Sequence, residues 1–109
     1  MNTKQVKFKP HLADLILKGE KTTTWRLFDD KDLQVGDVSD LINSDTKEIF
    51  ATAEIKQVKE KLFGSVEDTD LIGHEKFASD EEMYATYKMY YGDRVDENTI
   101  VKIITFKLK

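Results

Sequence analysis

Ile49-Phe50-Ala51-Thr52-Ala53-Glu54-Ile55-Lys56-Gln57-Val58 is the stretch that decides the fold. Ile49, Ala51, Ala53 and Ile55 alternate with Phe50, Thr52, Glu54 and Lys56. Successive strand side chains point to opposite faces, so this alternation predicts a long, half-buried strand. Val58 falls out of phase, which places a bulge or the strand's end near Gln57.

Outward from that strand the chain is punctuated by turn and cap signals. Ser44-Asp45-Thr46 reads as a turn, and Val38 to Asn43 before it as a strand. The polar run from Asp29 to Gly36 reads as a loop. Residues 22–27 are β-branched and aromatic and predict a strand. Val6 and Phe8 alternate with Lys7 and Lys9, a short strand, and the single proline, Pro10, suits the first turn of a helix. Leu12, Leu15 and Ile16 recur at helical spacing, so residues 11–18 read as an amphipathic helix that Gly19 stops.

On the other side, Glu67 to Phe77 is less regular and includes a short helix. Ser79-Asp80-Glu81-Glu82 is a capping box, with Ser79 as cap and Glu82 returning the bond. Met83, Tyr84, Tyr87, Tyr90 and Tyr91 form the apolar stripe of the helix that follows, and Gly92 ends it. The last strand runs from about Thr99 to Leu108, with Ile100, Ile104, Phe106 and Leu108 on one face and Lys102 interrupting it at an open edge. The order strand, helix, strand, strand, strand, helices, strand gives an α+β class. A mainly antiparallel, curved sheet in a small barrel or half-barrel with flanking helices is expected.

The 109 residues fit one domain, 1–109. With 39% hydrophobic and 35% charged residues the chain has a core and a heavily charged surface. It has no cysteine, so disulfides and thiolate metal sites are excluded. No apolar run approaches the roughly 20 residues of a membrane span, and no apolar leader segment opens the chain. A soluble, cytoplasmic protein without a membrane partner is the expectation. The net charge of −4 argues against indiscriminate binding of polyanions, but it is unevenly spread. Residues 1–26 hold six basic and two acidic side chains, and the remainder 11 basic and 19 acidic. If Lys4, Lys7, Lys9, Lys18, Lys21 and Arg26 converge, they can hold a phosphate or a nucleotide. If they do not, they are a solvated face paired with the acidic body.

The densest chemistry lies in Gly19-Glu20-Lys21-Thr22-Thr23-Thr24-Trp25-Arg26. A helix stops at glycine, the chain turns, and a lysine leads into a threonine-rich strand. In an ideal strand Thr22, Thr24 and Arg26 share one face, and Lys21, Thr23 and Trp25 the other. Lys21 and Thr24 therefore meet only if the strand begins after Lys21 or bulges there. If they meet, the lysine can take the threonine's proton, provided burial or nearby cations favour its neutral form. Ordinary β-propensity explains the threonines equally well.

The segment from Leu15 to Arg26, with Gly19, Lys21, Thr22, Thr24 and Arg26, resembles the G-x-K-x-x-x-x-R signature of the ASCH family in the PUA-like superfamily. Val35-Gly36-Asp37 resembles the family's G-D after the loop, and His74-Glu75-Lys76-Phe77 with Tyr90-Tyr91-Gly92 its later helical segment. The likeness implies a PUA-like barrel whose cleft accepts RNA or a modified nucleoside. It is nearest to the short bacterial branch of N4-acetylcytidine amidohydrolases. Carried over by motif, Lys21 is the implied proton acceptor, Thr24 the nucleophile on the acetyl carbonyl, and Glu75 the proton donor to the leaving amine. Such a Glu75 must be partly buried away from cations.

Around that trio, Arg26, Thr22, Trp25 and His74 are the ligand-binding candidates. Arg26 forms a bidentate fork to phosphate or carboxylate, or else a structural ion pair with an acid such as Asp37. Trp25 stacks a base or packs in the core. The tyrosine stripe is helix packing, with one member at the edge of a cleft. His11 and His74, without cysteine, give no metal spacing, and neither a Gly-rich phosphate loop nor a dinucleotide fingerprint is present. No metal and no cofactor are expected. Asp29, Asp30 and Asp32 make the loop after residue 27 acidic, which favours a modified nucleoside or short RNA over a long one. The sequence-level reading is an amidohydrolase of N4-acetylcytidine-type nucleosides. Its alternatives are a non-catalytic RNA- or nucleotide-binding module and, third, a ribonuclease. The oligomeric state is not encoded in any of these signals.

Overall fold

The computed structural model describes residues 4–28, 31–74 and 76–109. Five strands, β1 (Lys4–Phe8), β2 (Thr23–Leu27), β3 (Val38–Asn43), β4 (Ile49–Leu62) and β5 (Ile100–Leu108), join two α-helices, α1 (Pro10–Leu17) and α2 (Asp80–Tyr91). Short 3₁₀ turns at Phe63–Ser65 and Asp68–Leu71 supply the irregular helical segment before α2. The strands form one sheet in the order β1-β3-β4-β5-β2. β1 runs parallel to β3, and the other neighbours are antiparallel. Parallel neighbours need a crossover, and here it passes through α1 and then β2 at the far edge. The sheet curls into a half-barrel that brings the two edge strands to one seam, where they flank a common cleft.

The curl begins at the phase break seen in the sequence. β4 pairs Ile55 with Phe106 and then Gln57 with Thr105, which leaves Lys56 as the extra residue of a bulge. The strand therefore continues past Gln57 to Leu62. The extra residue reverses its alternation, so Val58 rejoins the face of Ala53 and Ile55.

Two apolar cores lie on the two faces of the sheet. Val6, Phe8, Leu12, Ile16, Leu33, Leu41, Ile55, Ile104 and Phe106 fill the concave side beneath α1. Trp25, Leu27, Phe63, Met83, Tyr87, Val95, Val101 and Ile103 fill the side covered by α2. β5 serves both. Ile104 and Phe106 follow the expected face, but Lys102 is buried on a strand interior to the sheet and not at an open edge, while Ile100 is exposed. Val101 and Ile103 are buried on the opposite face, because α2 covers the surface that the strand turns away from the first core.

The caps follow their sequence signals with one shift. Ser79 Oγ accepts from the Glu82 N–H at 3.1 Å. Glu82 returns its bond one residue earlier than expected, accepting from the Ala78 N–H at 3.0 Å. α1 ends at Gly19, whose φ of +79° is the left-handed conformation glycine takes without steric cost. Glu20 and Lys21 N–H groups fold back onto the Leu15 carbonyl at 2.9 and 3.2 Å, so Lys21 belongs to the helix-ending turn.

Candidate functional site

That turn resolves the alternation problem. β2 begins at Thr23, two residues after Lys21, so the strand's phase does not govern Lys21. The start of β2 is fixed from outside by the Gly73 carbonyl, which accepts from the N–H groups of Thr22 and Thr23 at 2.8 and 2.9 Å. Gly73 has φ +76°, and a Cβ there would lie 2.2 Å from Thr22 Oγ1, so the latch demands glycine.

Lys21 then points into the cleft at the seam between β1 and β2. It is 2% exposed, and its Nζ donates to the Thr23 carbonyl at 2.8 Å. Half-buried Thr24 lines the same cleft, as does half-buried Arg26. The cleft measures about 450 Å³. Lys7 and Lys9 at the end of β1, and Ser44 in the turn after β3, form the facing wall, while Met89, Tyr90 and Tyr91 at the end of α2 form the rim. Among the described residues lining it are four cations, Lys7, Lys9, Lys21 and Arg26, and no carboxylate. Two of its polar atoms, Arg26 Nε and Ser44 Oγ, are buried without a hydrogen-bond partner among the described residues. Leaving a buried donor unsatisfied costs about 1–3 kcal/mol, so such atoms mark places where a ligand repays the cost.

The other candidates fall differently. Trp25 contributes an edge to the cleft wall, but its indole is 3% exposed. It stacks on His74 at 4.2 Å and Tyr87 at 5.9 Å, with Nε1 donating to the Asp70 carbonyl at 3.3 Å. Its ring faces are already covered, which assigns Trp25 to the core and leaves no face for a base. His74 is buried behind it, with Nε2 3.2 Å from the Tyr87 hydroxyl, and does not line the cleft. Thr22 is exposed and also lies off the cleft, held by the Gly73 latch. Glu75 lies outside the described residues. Arg26 does not pair with Asp37. Lys4 takes Asp37 at 2.8 Å and, with the Gln34 N–H, holds its carboxyl below the usual range. No three His, Cys, Asp or Glu side chains among the described residues cluster as metal ligands, and no helix is long and apolar enough to cross a membrane.

Beyond Arg26 opens a second pocket of about 580 Å³, which Arg26 and Lys102 share with Asp32, Glu60 and Asp96. Phe28 stands at this boundary with φ +54°, a strained conformation for an aromatic residue. Its ring is held by the Arg94 guanidinium 3.8 Å above it and by Tyr91, edge to face at 6.0 Å.

Comparison with known proteins rests on architecture. No family model and no curated protein matches the chain. Solved structures do. A DUF984 protein from Enterococcus faecalis superposes with a TM-score of 0.78 at 15% identity, over 99% of this chain and 81% of its own. The ASCH domain from Lactobacillus crispatus gives 0.67 at 24% identity, over 88% of this chain and 69% of its own. This is the ASCH-domain fold. The ASCH protein of Zymomonas mobilis shares it with a TM-score of 0.63 at 16% identity, over 94% of this chain and 65% of its own.

Within this ASCH fold, sequence reasoning missed Ser44 and Met89 as cleft residues, and it named Lys7 and Lys9 only among the six cations that hold a phosphate if they converge. The signal for the lysines was available, since they alternate with core-facing Val6 and Phe8. Ser44 carried no such signal. It reaches the cleft because its N–H donates to the Phe8 carbonyl at 2.8 Å, docking the β3–β4 turn onto the end of β1.

Proposed function

We propose that the cleft binds a modified nucleoside or a short RNA and that Lys21, Thr24 and Glu75 hydrolyse an acyl amide on its base. The observation that carries this reading is the convergence of Lys21 and Thr24 on one cleft from separate backbone segments. Thr24 Oγ1 attacks the acetyl carbonyl while its proton passes to Lys21 Nζ, and Glu75 protonates the departing N4 amine. Water then cleaves the acyl-threonine ester, releasing acetate. The role requires Lys21 to be neutral before attack. Its resemblance to the N4-acetylcytidine amidohydrolase branch supplies the substrate class.

The test is release of cytidine from N4-acetylcytidine by the purified protein. Lys21→Ala and Thr24→Ala are each expected to cut the rate at least ~100-fold, the usual scale for losing a base or nucleophile. No turnover, or unchanged rates in both variants, ends the proposal. The four cations favour a second reading, a non-catalytic module for RNA or nucleotides. It expects salt-dependent RNA retention that survives Thr24→Ala and falls in Arg26→Ala.

A further inference from the structure

We infer that the cleft contains a phosphate subsite built from Arg26, Ser44, Lys7 and Lys9, so that its preferred occupant is a nucleoside monophosphate rather than a free nucleoside or an RNA strand. The inference rests on the nucleoside reading above and specifies its substrate class. Arg26 Nε and Ser44 Oγ are buried, have no hydrogen-bond partner among the described residues, and line the same cleft from opposite walls. Lys7 and Lys9 stand beside Ser44 and make no ion pair among the described residues. An unpaired guanidinium, a hydroxyl and two ammonium groups share one demand, an anion with several acceptor oxygens.

The separate segments that carry the donors identify the anion. They come from β2, from the β3–β4 turn and from the end of β1, three segments around one cleft. A planar carboxylate offers two oxygens to one side, which a single guanidinium fork satisfies. A tetrahedral phosphate presents oxygens in diverging directions and can engage donors from all three segments. The length of the ligand is limited by charge. On the far side of Arg26 the second pocket carries Asp32, Glu60 and Asp96, which repel a following phosphate. A strand continuing past Arg26 would lay its backbone along those carboxylates, whereas a monophosphate ends before them.

Calorimetric titration of the free protein with 5′-CMP, cytidine, inorganic phosphate and a hexameric RNA tests this without any turnover. CMP is expected to bind at least about tenfold more tightly than cytidine, the scale of one charge-assisted contact. Inorganic phosphate is expected to compete with CMP, and the hexamer to bind no better than CMP. Arg26→Met and the exposed-site variant Lys9→Met should each reduce CMP affinity at least about threefold more than cytidine affinity. Lys9 is exposed, so its variant reports on the subsite even if Arg26→Met folds poorly. Equal affinity for CMP and cytidine, a hexamer binding more tightly than CMP, an undiminished CMP preference in Lys9→Met, or no binding of CMP at all overturns the subsite. A protein that turns over N4-acetylcytidine yet shows no CMP preference loses only the subsite. One that prefers CMP yet hydrolyses nothing loses only the amidohydrolase reading.

Discussion

At the scale of single residues, the most constrained side chain lies outside the cleft. Asp70 is 2% exposed and accepts from Lys61 Nζ at 2.7 Å, Lys59 Nζ at 3.1 Å and the Glu67 N–H at 2.9 Å. Burial alone pushes this carboxyl up, and the bonds from Lys61, Glu67 and Lys59 outweigh it, bringing it down to about 2. Its own carbonyl holds the indole of Trp25, so the acid braces the back wall of the site. A folded-state value below the unfolded one means that the charged form stabilises the fold. That stabilisation is present above about pH 4 and is lost as pH falls through about 2. Asp70→Ala is expected to cost about 3 kcal/mol at pH 7, because two ammonium groups and an N–H lose their acceptor. Urea denaturation should show the gap between wild type and variant closing between pH 4 and pH 2, and a gap that persists at the lower pH would refute the assignment. None of this was visible in the sequence around Asp70. Its lysine partners sit 9 and 11 residues earlier, on the far half of a strand whose continuation past Gln57 was undecided.

At the scale of elements, the β4 bulge matters most. If Lys56 were paired in a regular strand and not bulged out, the alternation of residues 49–55 would run on and turn Val58 away from the concave core. Deleting Lys56 keeps Gln57 opposite Thr105 and Val58 on the core face, but it removes the extra residue whose bulge adds local twist to the strand. Loss of that twist is expected to lower stability by about 1–2 kcal/mol, within the usual range of single-site changes, and thermal melting measures it. A deletion that melts like wild type would show that the bulge is incidental. This element was legible, because a change of phase in hydrophobic alternation is a local signal. The start of β2 was legible to within one residue, but the placement of Lys21 before it was not. The rule of alternation separated Lys21 from Thr24, and only the fold-back onto Leu15 and the latch to Gly73 place them on one cleft.

At the scale of the whole molecule, two cores share one central strand. Ile104 points into the core beneath α1, and Val101 and Ile103 into the core beneath α2, which contains the protein's single tryptophan. A cavity in the first core should therefore be felt in the second. Ile104→Ala is expected to lower the stability reported by Trp25 fluorescence by about 3 kcal/mol, the usual cost of a buried large-to-small change. The fluorescence and far-ultraviolet circular dichroism transitions should remain coincident. Separate transitions would mean that the cores unfold independently.

The sequence by itself determined the local order of the chain. Helix ends at Gly19 and Gly92, the cap at Ser79, the turn at Ser44 and the α+β succession of elements all follow from signals within a few residues. It also determined that the first quarter is basic. Only the tertiary structure decided what that charge does. The curl of the sheet carries β2 from the far edge back to β1, so Lys7 and Lys9 face Lys21 and Arg26 across one seam. It also decided that Trp25 and His74 belong to the core, since whether an aromatic ring has a free face depends on what packs against it from elsewhere in the chain. Local signals fix conformation, but the meeting of distant side chains depends on closure of the sheet, which no short window of sequence contains.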